Sequence, residues 1–182
     1  MIGFVTAFAA TLLLGLGGRD QILTAGLTPK LGRRGSLLAV GSIISALTVS
    51  AAAWLASLVT AQAGIEDTAP FALLATGLAG LEMAMIRLRR LPAEPTRSLG
   101  AMTLVLLVFQ AADAVRLATF ALVLTADATA PTATGAALGG TTALAAGWAL
   151  GERLPAERLV AVRRWLGIAL AGLAGTLLLI PR

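Results

Sequence analysis

Six long apolar stretches separated by short polar ones set the pattern of this chain. They run over about 2–27, 36–60, 69–87, 99–124, 131–151 and 164–181. A helix needs about 20 apolar residues to cross a hydrocarbon core of roughly 30 Å, and lipid leaves no partner for an unpaired backbone group. The pattern therefore predicts an all-α integral membrane protein with about six transmembrane helices. The first stretch is interrupted by Gly15-Leu16-Gly17-Gly18-Arg19-Asp20, and the fourth carries Asp113 and Arg116 near its middle. The N-terminal run has no basic lead-in and is too long for a typical signal segment, so it reads as a first crossing that stays.

Charge in the connecting segments tests the number of crossings. Lys30, Arg33 and Arg34 follow the first stretch, Glu66 and Asp67 the second, and Arg87, Arg89, Arg90 and Arg97 the third. Asp127 alone follows the fourth, and Arg153, Arg158, Arg163 and Arg164 follow the fifth. Basic and non-basic segments alternate strictly. Short cytoplasmic loops are rich in Lys and Arg, so six crossings are expected in a cytoplasmic (inner) membrane, with both termini outside.

Composition sharpens this picture. Apolar residues make up 58% and charged residues 13% of the 182 residues, too little polar surface for a soluble domain. The absence of Cys, His and Tyr excludes disulfides, thiolate or imidazole metal sites, and Ser-His-Asp or Cys-His nucleophile systems. No other nucleophile–base pair or cofactor motif is visible, and no enzymatic activity or bound cofactor is expected. The net charge of +5 lies mostly in the basic segments, which makes nucleic acid an unneeded partner; the bilayer is the expected one.

The stretches also repeat. Those starting near 4, 36 and 69 are followed by others near 99, 131 and 164, an offset of about 95 residues. Three crossings per half is an odd number, so the second half crosses in the opposite sense. Residues 1–95 and 96–182 are thus expected to form two inverted three-helix repeats, an architecture that places a substrate site at the midplane where the halves meet. Small residues such as Gly135/Gly139 and Gly147/Gly151, with Ser45 and Thr48 in the second stretch, read as close packing within one bundle.

Polar clusters fall where such a site belongs. A charge on a mid-bilayer helix costs about 2.5–3.5 kcal/mol on insertion scales, so Arg19, Asp20, Asp113 and Arg116 are expected to face inward. The expected pairs across the halves are Arg19–Asp113 and Asp20–Arg116. Gln110 lies one helical turn before Asp113; Gln21, Thr24 and Thr119 add polar groups. Gly15, Gly17 and Gly18 weaken the first helix, and a break there would free carbonyls for an ion. Asp113 is the candidate for exchanging a proton for a cation, and Asp113 and Asp20 are the candidate metal ligands. Glu82, near the end of the third stretch, is expected to reach toward the interface and Arg87 or Arg89.

Leu16-Gly17-Gly18-Arg19-Asp20-Gln21 and Gln110-Ala111-Ala112-Asp113-Ala114-Val115 occupy the places of the paired E-x-G-D-[KR]-[TS] signatures of the Gdt-type manganese/calcium–proton exchangers, and the chain resembles a diverged member of that family. Gly151 to Arg158, before a Gly-rich last helix, resembles the family's second-repeat ending. Gly15 and Gln110 stand at the Glu positions, Gly18 and Asp113 at the Asp positions, and Ala112 replaces a Gly. The resemblance implies a secondary transporter that exchanges a divalent cation, manganese or calcium, for protons. Two carboxylates with two arginines make a near-neutral site. That also fits a non-transporting accessory or scaffold subunit, or a transporter of another solute with an Arg counter-charge. A homodimer or a related membrane subunit is a further possible partner.

Overall fold

The computed structural model describes residues 1–32, 35–63, 68–85, 98–111, 113–126 and 128–180. Every element among them is helical. Arg33, Arg34, Glu66, Asp67, Arg87, Arg89, Arg90, Arg97, Ala112 and Asp127 lie outside the described residues, as does the 95/96 boundary between the expected repeats.

Two of the six apolar stretches are pairs of helices. The first is α1 (Ile2–Gly15) and α2 (Arg19–Leu31), bent by 60°. The fourth is α5 (Leu99–Ala111) and α6 (Ala114–Leu124), bent by 50°. The others are α3 (Gly35–Ala63), α4 (Ala69–Met85), α7 (Thr129–Leu150) and α8 (Ala156–Leu179), with a 3-10 turn at Gly151–Arg153 before α8. By length and composition α3 and α8 can cross a membrane, and up to four spans result if each bent pair counts as one.

Local sequence explains both breaks. Gly17 has φ +71°, a left-handed conformation that glycine adopts without penalty. The Gly18 amide then folds back onto the Gly15 carbonyl, closing a turn between α1 and α2. At the second break Asp113 is extended, and its Oδ1 accepts from the Arg116 amide at 3.1 Å. That is a helix N-cap: a short carboxylate satisfies an orphan amide of the new helix. The N-caps of α2 and α6, Gly18 and Asp113, lie 95 residues apart. The Gln110–Asp113 spacing thus spans a break, and the two residues do not share one helix as the sequence suggested.

The bundle is filled by small residues. Among the described residues half of the buried apolar positions are alanine, while Leu13, Ile43, Leu47, Leu104, Val108 and Leu173 lie on the outside. So many large apolar side chains on the outside, on helices apolar enough to cross a membrane, suit a surface that faces lipid. Small residues inside let backbones approach, as in membrane bundles. On α7, Gly135 and Gly139 sit so close to α1 that an added Cβ would lie 2.2 Å from the Phe4 carbonyl oxygen and 2.4 Å from that of Phe8. Along this seam the Thr11 hydroxyl of α1 stands between the Ala7 carbonyl of its own helix at 2.7 Å and the Ala136 carbonyl at 3.1 Å, with one hydrogen to share between them. Gly80 of α4 and Gly167 of α8 meet in the same way.

Helices α1 and α2 pack on α7, α5 and α6 on α3, and α4 on both α6 and α8.

Candidate functional site

The two breaks bring charged side chains from both halves into the interior. Arg116, in the first turn of α6, is 3% exposed. Its Nη1 lies 2.9 Å from Asp113 Oδ2 and 3.9 Å from Asp20 Oδ2. Its Nη2 donates to Gln110 Oε1 at 2.9 Å and to Ser45 Oγ at 3.0 Å, and its Nε to Thr48 Oγ1 at 2.9 Å. Gln110 Nε2 donates in turn to Asp20 Oδ2 at 3.3 Å. Buried charges persist only when paired and hydrogen-bonded, and this guanidinium has an oxygen on every side. The expected Asp20–Arg116 pair is therefore present, with Asp113 the nearer carboxylate.

Asp20 also uses the break. It stands in the first turn of α2, where a negative charge is favoured, and its Oδ1 accepts from the Gln21 amide at 2.8 Å. Gln21 ties the break to α7: its Oε1 accepts from the Gly17 amide at 2.7 Å and its Nε2 donates to the Ala143 carbonyl at 2.8 Å. It thus serves the scaffold of the site. Thr119 is buried, but its hydroxyl donates to the Val115 carbonyl of its own helix at 2.7 Å. Thr24, one turn along α2 from Asp20, is 1% exposed, and its Oγ1 has no hydrogen-bond partner among the described residues.

Three expectations are corrected. Arg19 does not meet Asp113: its Nε lies 3.2 Å from Glu82 Oε1, and its side chain is 43% exposed. Neighbouring residues on a helix point about 100° apart, so Arg19 and Asp20 cannot both turn to the same site. Glu82 does not reach out to the interface; it turns inward, with Oε2 2.8 Å from Arg163 Nη2. Arg163 is not a loop residue. It lies within α8, 2% exposed, and its Nη1 donates to the Leu14 carbonyl at the end of α1. A cation suits that helix end. The carbonyls freed by the first break are thereby already engaged: Leu14 by Arg163, Gly15 by Gly18, and Leu12 and Leu13 by the Leu16 amide.

Arg163, Ser45 and Thr48 are the functional-looking groups that sequence reasoning left out of the site. Arg163 had a readable signal: Val160, Arg163, Gly167 and Ala174 are the buried residues of α8 and keep to helical spacing. Ser45 and Thr48 had only their three-residue spacing on one helix face.

The interior holds two adjoining ionic groups. Arg116 sits between Asp20 and Asp113, and Glu82 sits between Arg19 and Arg163; an added Cβ on Gly18 would touch both Asp20 Oδ1 at 3.0 Å and Arg163 Nη1 at 3.7 Å. Among the described residues no group of three or more acidic side chains forms. Clefts open at the two ends of α7. One of about 360 Å³ is lined by Thr6, Thr125 and Thr132, and one of about 470 Å³ by Thr28, Glu152 and Arg153. Comparison with known protein families, with characterised proteins and with solved structures finds no match.

Proposed function

We propose that this chain is a secondary transporter that carries a cation across the membrane by alternating access. In this reading residues 1–95 and 96–182 are inverted three-helix repeats giving six crossings, with both termini outside the cytoplasmic membrane. The observation that carries it is the pair of broken helices at matching positions, which set one carboxylate from each half, Asp20 and Asp113, on a single buried cationic group. Helices broken at mid-depth and facing one another across a repeat axis are how secondary transporters expose polar groups to cargo.

Further support comes from the packing of α1 and α2 on α7 and of α5 and α6 on α3. Helix α4, with 17 residues, meets the lower length for a crossing, about 17. Oxygen donors are those that a hard divalent ion takes, so manganese or calcium is the cargo to test first, with protons as counter-ion. Asp113 is the residue assigned to bind cargo and proton in turn; Asp20 and Gln110 complete the oxygen set.

The test is uptake by proteoliposomes of the purified protein under an imposed pH gradient, with manganese and calcium in turn. The expected result is gradient-dependent uptake that falls to the empty-liposome level in Asp113→Asn. Uptake unchanged in that variant overturns the role of Asp113, and no uptake by the parent overturns transport of these ions. A second reading, a non-transporting subunit that associates with another membrane protein, is favoured by how fully Arg116 is hydrogen-bonded. It expects no uptake and a stable complex on mild solubilisation.

A further inference from the structure

The surroundings of Arg116 are those of a bound ion. Five oxygens face its guanidinium: carboxylates of Asp113 at 2.9 Å and Asp20 at 3.9 Å, the Gln110 amide oxygen at 2.9 Å, and the hydroxyls of Ser45 at 3.0 Å and Thr48 at 2.9 Å. They come from α2, α3, α5 and the cap of α6, so the cage is assembled by tertiary structure and not by one helix. Carboxylate, amide and hydroxyl oxygens are also the donors of hard-cation sites. An ion and the guanidinium cannot occupy the same centre.

Charge points the same way. With Arg116 in place two carboxylates face one positive charge; with it withdrawn the formal charge of the cage falls to −2, the complement of a divalent ion. Removing one partner from a buried ionic group leaves an uncompensated charge, which the interior tolerates badly. The cage therefore holds a cation whenever both of its carboxylates are ionised. Thr24 Oγ1, one turn from Asp20 on the same face of α2, is buried and unbonded, an oxygen that Arg116 leaves unused.

We propose that Arg116 is a resident cation tethered to α6, which fills a cation site between Asp20 and Asp113, and that a cargo ion enters only by displacing it. The role of the site in transport rests on the function proposed above; the occupancy of the cage by a cation is tested without it. Because cargo competes with a group held at high local concentration, the parent binds ions weakly, and deleting the guanidinium raises affinity.

The experiment compares the full chain, purified in detergent, with Arg116→Ala, Arg116→Gln and Arg116→Ala/Asp113→Asn. Thermal unfolding is recorded against guanidinium chloride at low millimolar concentration, with urea and potassium chloride as controls, and manganese binding is read from the spin-resonance signal of the free ion. Arg116→Ala is expected to melt below the parent, to recover saturably with guanidinium but with neither control, and to bind manganese at least tenfold more tightly than the parent. The double variant is expected to lose both gains. Arg116→Gln, which keeps a hydrogen-bonding side chain, carries the manganese comparison if the alanine variant does not fold. If guanidinium gives no saturable recovery and no variant binds manganese more tightly than the parent, the proposal is overturned and Arg116 is a structural clamp. Parent proteoliposomes that transport while both binding arms fail overturn this proposal alone. Binding arms that succeed beside inactive proteoliposomes overturn the transport reading and leave the tethered cation standing.

Discussion

Adding one methyl group at the α1–α7 seam gives a destabilisation that the structure sizes in advance. In Gly139→Ala the new Cβ would start 2.4 Å from the Phe8 carbonyl oxygen and 2.3 Å from Thr11 Oγ1, and in Gly135→Ala 2.2 Å from the Phe4 carbonyl oxygen. Relieving either contact to ordinary van der Waals distance means parting the helices by about 1.0–1.2 Å, and forced overpacking of this kind costs about 1–3 kcal/mol. The same opening stretches the 3.1 Å bond from Thr11 to the Ala136 carbonyl, worth about 0.6 kcal/mol in a membrane bundle. Alanine recovers up to about 1 kcal/mol through its better helix propensity. The net expectation is a loss of roughly 1–2.5 kcal/mol for each variant. One opening relieves both contacts, so the double variant should lose clearly less than the sum of the singles, the signature of coupled sites. Reversible unfolding in mixed detergent micelles, monitored by tryptophan fluorescence, measures all three. Gly172→Ala and Gly175→Ala on α8, where an added Cβ meets nothing within 4 Å, are the controls and should be neutral or mildly stabilising. Singles at the seam as mild as these controls, or a strictly additive double variant, would refute the close approach.

Three further expectations concern the interior. Glu82→Gln leaves Arg163 buried beside a neutral partner and should cost about 3–5 kcal/mol, much of it regained in Glu82→Gln/Arg163→Gln; an additive double-variant cycle would count against the pair. Gly17→Ala places a side chain at φ +71°, with the new Cβ 3.0 Å from the Leu159 carbonyl oxygen. It should lower stability by about 1–3 kcal/mol in the same unfolding assay. Gln21→Leu strands the Gly17 amide at about 1–3 kcal/mol for an unsatisfied group and removes the second bond to the Ala143 carbonyl, which keeps its partner within α7. Hydrogen exchange at Gly17 should quicken in that variant, and unchanged protection there would remove Gln21 from its role in holding the break.

Much of the helix layout was readable because lipid-facing segments must be long and apolar. The break at Gly15–Gly18 was also legible, since glycines in succession with a left-handed φ at Gly17 interrupt a helix by backbone chemistry alone. The second break was not. Gln110-Ala111-Ala112 reads as continuous helix, and the signal was one carboxylate, Asp113, able to cap a new helix starting at Ala114. The start of α8 was missed because Arg158, Arg163 and Arg164 resemble a basic loop, although Pro155 stands at the N-cap position. Burial was legible for Asp20, Asp113, Gln110 and Arg116, whose polarity is costly anywhere but inside. Pairings were less so: helical spacing tells which face a residue takes, whereas the Arg19–Glu82 and Arg163–Glu82 contacts depend on how helices distant in sequence lie against each other.

The alanine-rich interior has a mechanical consequence. Leucine or phenylalanine cores interlock like gear teeth, and a helix moving across one must lift each side chain out of its socket. A surface of methyl groups and glycine hydrogens has almost no teeth. Helices α1 and α2 therefore lie on α7 as on a shallow rail, where small sliding displacements of the shear kind meet steric resistance chiefly at the glycine slots of Gly135, Gly139 and Gly147. What holds them in register is a pair of polar latches on α7, Thr11 against the Ala136 carbonyl and Gln21 on the Ala143 carbonyl, while the ionic groups around Arg116 and Glu82 tie the other helices together. Substitutions that weaken a latch should change how often the bundle shifts far more than substitutions along the rail that leave its surface smooth.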